Sequence, residues 1–243
     1  MNDLGSKVAD NMLFVAEFAG LVFVIFLIAY LVEKRIHLKN HDTERILSTR
    51  KIALVGLFAA VSAVLMVLEV PVPFAPPFYK IDLSELPILI ITFAFGPVAG
   101  VMTEFIKILL KLIMKSTSTA FVGELANFSV GCTLILPAGI IYLSRKTKRM
   151  ALIACVTGTL CMTLFGSAFN AVYLLPKFAQ LFGMPLEAIV GMGTKINPSI
   201  TSVETMALFA VAPLNLLKGS IDTVLTMLLY KRLSPILKSS GRR

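Results

Sequence analysis

Seven apolar runs dominate this sequence of 243 residues and limit what it can fold into. An α-helix needs roughly 20 apolar residues to cross a hydrocarbon core of about 30 Å, and most of the runs approach that length. The chain is 57% hydrophobic and 15% charged, whereas soluble domains have about 45–50% apolar and about 25% charged residues. We therefore predict an all-α integral membrane protein. The predicted spans are residues 12–32, 52–70, 86–95, 96–114, 121–143, 151–175 and 203–230.

The positive charges predict how these spans are oriented, because Lys and Arg concentrate in cytoplasmic loops. Fifteen of the 23 Lys and Arg residues fall in the linker 34–51, the loop 145–149 and the tail 231–243. We therefore expect the N-terminus outside, the C-terminus in the cytoplasm, and the loops 71–85 and 176–202 on the outer face. The formal net charge of +9 has the same explanation, and no aromatic and basic surface favours nucleic-acid binding.

The first span looks appended to a unit of six. We divide the chain into residues 1–50, an extra N-terminal transmembrane helix with a basic cytoplasmic linker, and residues 51–243, a six-helix membrane domain. His37 and His41 lie in or beside that linker, without a carboxylate cluster of ligand spacing, so we expect solvated side chains rather than a metal site. The three cysteines form no C-x-x-C pair and are expected to be packing groups.

Polar side chains inside apolar spans are candidates for a functional site, because they are costly at membrane depth. Lys218 and Asp222 are four residues apart and could form an intrahelical pair. Alternatively, Asn215 on the same face joins Lys218 in a site for a ligand with carbonyl or ring-nitrogen acceptors. Asn170, close to Tyr173 in the sixth span, would supply a second amide. Its alternative role is a hydrogen bond between helices.

Two further groups of polar residues lie in or beside the fourth and fifth spans. Glu124 and Asn127 begin the fifth span, where they could contact a ligand or support the positive N-terminus of a helix. Glu104, Lys107 and Lys111 share one helix face. For these three we expect a compensated charge stripe that faces the bundle or an outer vestibule.

The outer loop 71–85 is stiffened by prolines and ends in Pro77, Phe78, Tyr79 and Lys80. Its aromatic residues suit a lid over a planar ligand, although an ordered outer loop without that role would have the same composition. The loop therefore belongs to the candidate site.

Small residues recur at a spacing of four in the second span, as Gly56 and Ala60 and as Ala59 and Ala63. Such spacing lets another helix approach closely. The partner helix could belong to this chain or to another protein.

Three stretches in order resemble the substrate-binding S components of energy-coupling factor (ECF) transporters, in particular the riboflavin-specific type. They are FYKIDLSELP at 78–87, FGPVAG at 95–100 and STAFVGELANF at 118–128. The resemblance extends over about residues 50–235. It implies a six-helix bundle that binds one vitamin from outside under a loop between its first two helices. It also implies docking on a transmembrane scaffold subunit with two ABC ATPases, and no ATPase or cofactor of its own.

The resemblance also assigns roles to individual residues. It implies ligand contacts from the covering loop and from polar groups in the later spans, and partner contacts from small residues in the second span. The ligand-binding candidates are Pro77, Phe78, Tyr79, Lys80, Glu124, Asn127, Asn170, Tyr173, Asn215 and Lys218. The partner-binding candidates are Gly56, Ala59, Ala60 and Ala63.

The hypothesis from the sequence is a riboflavin-binding S component in a bacterial cell membrane, and not an enzyme. Motifs for nucleotide hydrolysis, zinc proteolysis and serine hydrolysis are missing from the sequence. Three alternatives stay open: an S component for another vitamin, a membrane subunit that uses flavin for electron transfer, and an interaction subunit without a ligand.

Overall fold

The computed structural model describes residues 12–41, 45–117 and 119–239. In this part of the chain, long helices form a bundle, and a two-stranded ribbon closes one loop. The first half contains α1 (Met12–Lys39), α2 (Thr49–Val67), β1 (Val70–Pro71), β2 (Lys80–Ile81), α3 (Glu85–Phe95), α4 (Pro97–Met114) and α5 (Val122–Ser144). The second half contains α6 (Lys148–Phe169), α7 (Leu175–Phe182), α8 (Leu186–Thr194), α9 (Val203–Met206) and α10 (Ala212–Ser239). The all-α membrane fold is as predicted.

Five helical runs are long and apolar enough to cross a membrane, by length and composition, in the part of the chain that the structure describes. Seven spans were predicted, and the difference lies in α3 and α4. Helix α3 has 11 residues, which corresponds to only about 16 Å at 1.5 Å per residue. The third predicted span is therefore too short to be a full crossing. The five runs are Ala16–Lys39, Thr49–Val67, Val122–Ser144, Lys148–Phe182 and Val203–Tyr230.

Helices α3 and α4 form a tight antiparallel hairpin at Gly96. Gly96 has φ 102°, a conformation that residues with a Cβ rarely adopt, and Pro97 begins the next helix without needing an N–H donor. Lys107 Nζ of α4 lies 3.1 Å from Glu85 Oε1 at the start of α3. Because Glu85 and Lys107 are equally far from Gly96 along the chain, the two helices run back along each other.

The extra helix α1 is attached to this hairpin by a buried carboxylate. The backbone N–H of Val98 donates a hydrogen bond of 2.8 Å to Glu33 Oε2, at the positive N-terminus of α4. A Cβ on Gly96 would lie 2.6 Å from the Glu33 carboxyl group. His37 lies 3.9 Å from Glu33 and is buried, so the prediction of a solvated His37 is wrong. Helix α1 also continues to Lys39, past the predicted end at residue 32.

Buried aromatic residues hold the centre of the bundle together. The rings of Phe93 and Tyr142 stack with centroids 4.5 Å apart, and Tyr230 meets both of them edge-on. The Tyr230 hydroxyl donates to the Phe93 carbonyl oxygen at 3.2 Å, which satisfies its polar end. Cys132 and Cys155 are buried free thiols and Cys161 is partly buried, as expected for packing groups.

The small residues of α2 divide between two faces. Ala59 and Ala63 are fully buried, on the helix that packs against α3 and α4. Their implied role in partner binding is therefore not supported, because their side chains are not accessible. Ala60 is exposed, and a Cβ on Gly56 would have open space around it.

Candidate functional site

A cavity of about 470 Å³ opens between the proline-rich loop that carries β1 and β2, α5, α6 and α10. This volume falls within the range of small-molecule sites, about 300–1,000 Å³. Its lining combines aromatic and aliphatic side chains with amides, carboxylates and ammonium groups. The polar lining includes Glu69, Lys80, Asp82, Glu85, Lys111, Lys115, Glu124, Asn127, Asn170, Asn215 and Lys218, and the apolar lining includes Phe78, Tyr79, Val130, Met162, Leu174, Phe178, Phe182, Met184, Ile189, Met192 and Leu214.

The proline-rich loop closes one side of the cavity as a folded lid. Strands β1 and β2 pair antiparallel, with Val70 opposite Ile81. The Tyr79 hydroxyl donates a hydrogen bond of 2.9 Å to Asn170 Oδ1. Burial raises the pKa of Tyr79 above its ordinary value, so the phenol remains a hydrogen-bond donor at neutral pH. The Phe78 ring lies 4.7 Å from that of Tyr79 and also lines the cavity.

Two amides line the cavity where α6 approaches α10. Asn170 begins a π-helical turn, Asn170–Leu174, and its Nδ2 donates to the Gly166 carbonyl oxygen at 3.0 Å. A Cβ on Gly166 would lie 2.5 Å from Asn215 Nδ2. Gly166 therefore permits the close approach that brings the two amides to one cavity. A second π-helical turn, Ala207–Val211, precedes Asn215 on the other side; single π turns are frequent at functional sites.

The Asn215 amide is almost fully buried, at 8% exposure. It lines the cavity, and no hydrogen bond joins it to any residue that the structure describes. A buried amide normally has a partner. The Asn215 side chain is therefore available to a ligand in the cavity.

Lys218 forms the polar floor of the cavity together with two carboxylates. Its Nζ lies 2.7 Å from Glu85 Oε2 and 3.2 Å from Asp82 Oδ2. An intrahelical pair of Lys218 with Asp222 was one of the two alternatives from the sequence, but neither Asp222 oxygen has a hydrogen-bond partner among the described residues. This alternative is therefore not found, whereas Asn215 and Lys218, the residues of the other alternative, both line the cavity. Lys218 instead connects α10 to the residues that join the lid to α3.

The stripe of charges on α4 is compensated, as predicted. Lys107 lies 2.7 Å from Glu104 and 3.1 Å from Glu85, and both Lys107 and Glu104 are fully buried. One turn farther along, Lys111 Nζ lies 2.7 Å from Glu124 Oε1. The stripe therefore faces the bundle at Lys107 and the cavity at Lys111.

Glu124 accepts hydrogen bonds from two hydroxyl groups as well as from Lys111. Thr117 and Thr119 donate to its Oε2 at 3.0 and 3.3 Å, and Thr119 Oγ1 also accepts from the Gly123 N–H. Both sequence interpretations are therefore compatible with the structure: hydroxyl groups cap the start of α5, and Glu124 also lines the cavity. Asn127 Nδ2 donates to the Gly123 carbonyl oxygen at 2.9 Å and lies on the same wall.

Glu69 joins the lid to the end of α4 at the mouth of the cavity. Its Oε1 accepts hydrogen bonds from Lys80 at 2.6 Å and from Lys115 at 2.9 Å. Partial burial works to raise the pKa of Glu69, but the two ammonium groups outweigh it and hold the pKa below its ordinary value. The carboxylate is therefore charged at neutral pH and links the lid to α4.

Most of the predicted ligand-binding residues meet at this cavity. Phe78, Tyr79, Lys80, Glu124, Asn127, Asn170, Asn215 and Lys218 line it, whereas Pro77 and Tyr173 do not. Tyr173 instead stacks on Phe169, with ring centroids 5.3 Å apart. Its position one turn from Asn170 does not bring it to the cavity.

Sequence reasoning missed three acidic residues of the site. Asp82, Glu85 and Glu69 are not among the candidates from the sequence, although all three line the cavity. Their signal was the presence of Lys218 within an apolar span, since a buried ammonium group requires carboxylate partners. The described residues contain no group of three or more His, Cys, Asp or Glu side chains arranged to hold a metal ion.

Comparison with known proteins assigns the family. Over residues 50–230 the sequence matches the family described as "ECF transporter, substrate-specific component", and this match includes most of the chain. The chain belongs to this family. S components are transporter subunits and not enzymes, they lie as multi-pass proteins in the bacterial cell membrane, and they work with ECF modules.

The S component is similar to two curated relatives along most of their length. It is 28% identical over 190 residues to the riboflavin transporter FmnP of Bacillus subtilis, covering 78% of this chain and 94% of the relative. It is 29% identical over 189 residues to the riboflavin transporter RibU of Staphylococcus aureus, covering 78% of this chain and 93% of the relative.

A solved structure shares the fold. It is described as "Structure and mechanism of the S component of a bacterial ECF transporter" and is 29% identical in sequence, with a TM-score of 0.60. The match covers 77% of this chain and 97% of that chain.

Proposed function

We propose that this S component binds riboflavin in the cavity and is the substrate-binding subunit of an ECF-type ABC importer. Two relatives that match this chain along most of their length are named riboflavin transporters. The observation that carries the proposal is the Asn215 amide, which faces a cavity of about 470 Å³ without a partner among the described residues. Such an amide offers donors and an acceptor to a ligand that carries both kinds of group.

The chemistry of the amides suits the polar edge of a flavin ring. An amide offers two N–H donors and one carbonyl acceptor, and the pyrimidine edge of isoalloxazine carries two carbonyl oxygens, acceptor nitrogens and one N–H. Asn170 gives one N–H to Gly166 and accepts from Tyr79, so one of its N–H groups remains for a ligand. Asn215 has all its groups available. We therefore place the ring edge between Asn170 and Asn215.

The other ligand contacts follow from the same placement. Phe78 and Tyr79 of the lid would cover the ring, as aromatic walls do in small-molecule sites. The polar chain of riboflavin would lie toward Lys80, Glu124 and Asn127, where hydroxyl groups find charged and amide partners. Lys218 would donate one hydrogen bond to a ring acceptor, while Asp82 and Glu85 accept hydrogen bonds from its other N–H groups. Pro77 and Tyr173 would act only through the residues beside them.

We further propose that the cavity opens to the outside of the cell. Helix lengths place the lid and the residues between α8 and α9 at one end of the bundle, and the basic linker and the loop between α5 and α6 at the other. Because Lys and Arg favour the cytoplasmic side, the lid end is the outer one. ATP hydrolysed in the partner ATPases would then drive release to the cytoplasm. Residues 1–50 would form an additional membrane-anchoring part, with α1 held against the α3–α4 hairpin.

Orientation can be tested with single cysteines. Lys195→Cys, near the end of α8, should react with a membrane-impermeant maleimide added to intact cells. Lys146→Cys, between α5 and α6, should react only after the membrane is opened. The opposite labelling pattern would contradict the orientation without affecting the proposed ligand.

The substrate is tested by titrating the detergent-purified chain with a panel of vitamins. Riboflavin should bind saturably with one site per chain and lose its fluorescence, while thiamine, biotin and folate should not bind. Saturable binding of another vitamin would keep the S component and change its substrate. A redox-active flavin that turns over without partner subunits would favour the electron-transfer alternative.

A further inference from the structure

Beneath the cavity, four carboxyl groups and two ammonium groups share one buried charge cluster. Asp82, Glu85, Glu104 and Asp222 are each at most 9% exposed, and Lys107 is fully buried. Lys218, the other cation, has a side chain that is 12% exposed. If all six groups were ionised, the charge cluster would carry two excess negative charges within a membrane-embedded bundle. Such a charge is expensive at this depth and is normally neutralised.

The pairing distances show where the excess lies. Lys218 is shared between Glu85 at 2.7 Å and Asp82 at 3.2 Å. Lys107 is shared between Glu85 at 3.1 Å and Glu104 at 2.7 Å. Each ammonium group therefore already contacts two carboxyl groups.

Asp222 is the carboxyl group without such a contact. It is fully buried, one turn after Lys218 on α10. Neither of its oxygens has a hydrogen-bond partner among the described residues. The ionisable groups that act on it are Glu85, Lys218, Asp82 and Lys107, and on the α6 side the thiol of Cys155.

We propose that Asp222 is a proton-binding site, and that its carboxyl group holds a proton at neutral pH and brings the charge cluster closer to neutrality. A proton is the ligand that fits, because a carboxyl group without cationic contacts avoids the cost of burial by becoming neutral. A metal ion would require several ligands, and the described residues form no group of three or more His, Cys, Asp or Glu that could hold one.

The test compares thermal unfolding of the detergent-purified wild type with that of Asp222→Asn from pH 5 to pH 9. If the folded protein holds this proton and the unfolded chain, with an ordinary Asp pKa of about 3.9, releases it, stability must fall as pH rises. Asp222→Asn has no such proton and should lose this part of the pH dependence. At pH 8 the variant should unfold at the same temperature as the wild type or at a higher one. Glu187→Gln, an exposed acid in α8, should keep the wild-type pH dependence.

Three results would overturn the proposal. The first is an equal pH dependence in wild type and Asp222→Asn. The second is a stabilisation of the wild type by sodium chloride over choline chloride at equal ionic strength that Asp222→Asn lacks, because the site would then hold an alkali cation. The third, independent of whether the variant folds, is an infrared spectrum of the wild type at pH 7 without the C=O band of a buried carboxylic acid. Thermal unfolding and infrared absorption are both measured without flavin, so the outcome does not depend on the proposed substrate.

Discussion

The hydroxyl group of Tyr79 in the lid donates a 2.9 Å hydrogen bond to the side-chain oxygen of Asn170, 91 positions farther along the chain. This contact joins the lid to the π-helical turn that carries one of the two cavity amides. This hydrogen bond therefore connects the lid of the cavity to its polar wall. A substitution on either side should change the position of the other side.

Tyr79→Phe should weaken the closed lid without unfolding the protein. A hydrogen bond of this kind contributes about 0.5–1.5 kcal/mol, so we expect riboflavin to dissociate about 2- to 10-fold faster. Stopped-flow fluorescence after displacement of bound flavin measures this rate. Tyr173→Phe, outside the cavity, is the matched control. Equal dissociation rates in Tyr79→Phe and wild type would show that the contact does not hold the lid.

Lys218→Met should lower both stability and riboflavin affinity. Removing one partner of a buried ion pair costs about 3–5 kcal/mol, because Asp82 and Glu85 lose an ammonium group that both contact. The loss should shrink at low pH, where the carboxyl groups can be protonated. Thermal unfolding in detergent measures it, with exposed Lys195→Met as the control. Unchanged stability at pH 7 would contradict the ion pairs of the cavity floor.

Gly166→Ala should impair ligand binding more than the small size of the added methyl group suggests. The added methyl group would lie 2.5 Å from Asn215 Nδ2, so the amide or helix α10 must move. We expect a loss of riboflavin affinity of 10-fold or more, measured by fluorescence titration. Gly191→Ala, where a Cβ meets open space, should bind as the wild type does. A wild-type affinity in Gly166→Ala would mean that Asn215 does not contact the ligand.

The link between the lid and α4 should weaken in acid. The ammonium groups of Lys80 and Lys115 hold the pKa of Glu69 below its ordinary value despite partial burial. A lowered folded-state pKa means that the stabilisation is present above the unfolded value, about 4.3, and is lost as pH falls further. Flavin dissociation should therefore accelerate below about pH 4 in the wild type. Glu69→Gln should dissociate faster already at pH 7, and a rate equal to the wild type there would contradict the link.

Gly56→Leu should separate ligand binding from partner docking. The position faces open space on α2, so the larger side chain should leave riboflavin affinity unchanged while reducing co-purification with the ECF module. Gly20→Leu on α1, another position with open space, is the matched control. If Gly56→Leu co-purifies as the wild type does, the partner uses another surface.

The sequence predicts most of the helices because a helix that spans the membrane needs an apolar run as long as the membrane is thick. It also singles out Asn170, Asn215 and Lys218, since polar groups in apolar spans need partners. What it does not predict depends on contacts between distant segments. The partners of Lys218 lie up to 136 positions away in the chain, and no periodicity within one helix encodes them.

The burial of individual helix residues is not predicted for a related reason, because it depends on which neighbouring helix packs against them. His37 was predicted to be solvated because it lies in a charged linker. Helix α1 continues through this part of the linker, so His37 lies beside Glu33, which binds the α3–α4 hairpin. Ala59 and Ala63 carry the same small-residue spacing as Gly56 and Ala60, and only the packing of α2 decides which pair is buried.

We propose that riboflavin is the missing partner of Asn215, which faces the cavity without a hydrogen bond to any described residue. A riboflavin titration of purified Asn215→Ala tests this proposal. Asn215→Ala should bind riboflavin at least 10-fold more weakly than the wild type does. Thermal stability without ligand should be preserved, and exposed Gln180→Ala should bind normally. Wild-type riboflavin affinity in a folded Asn215→Ala would show that Asn215 does not bind the flavin.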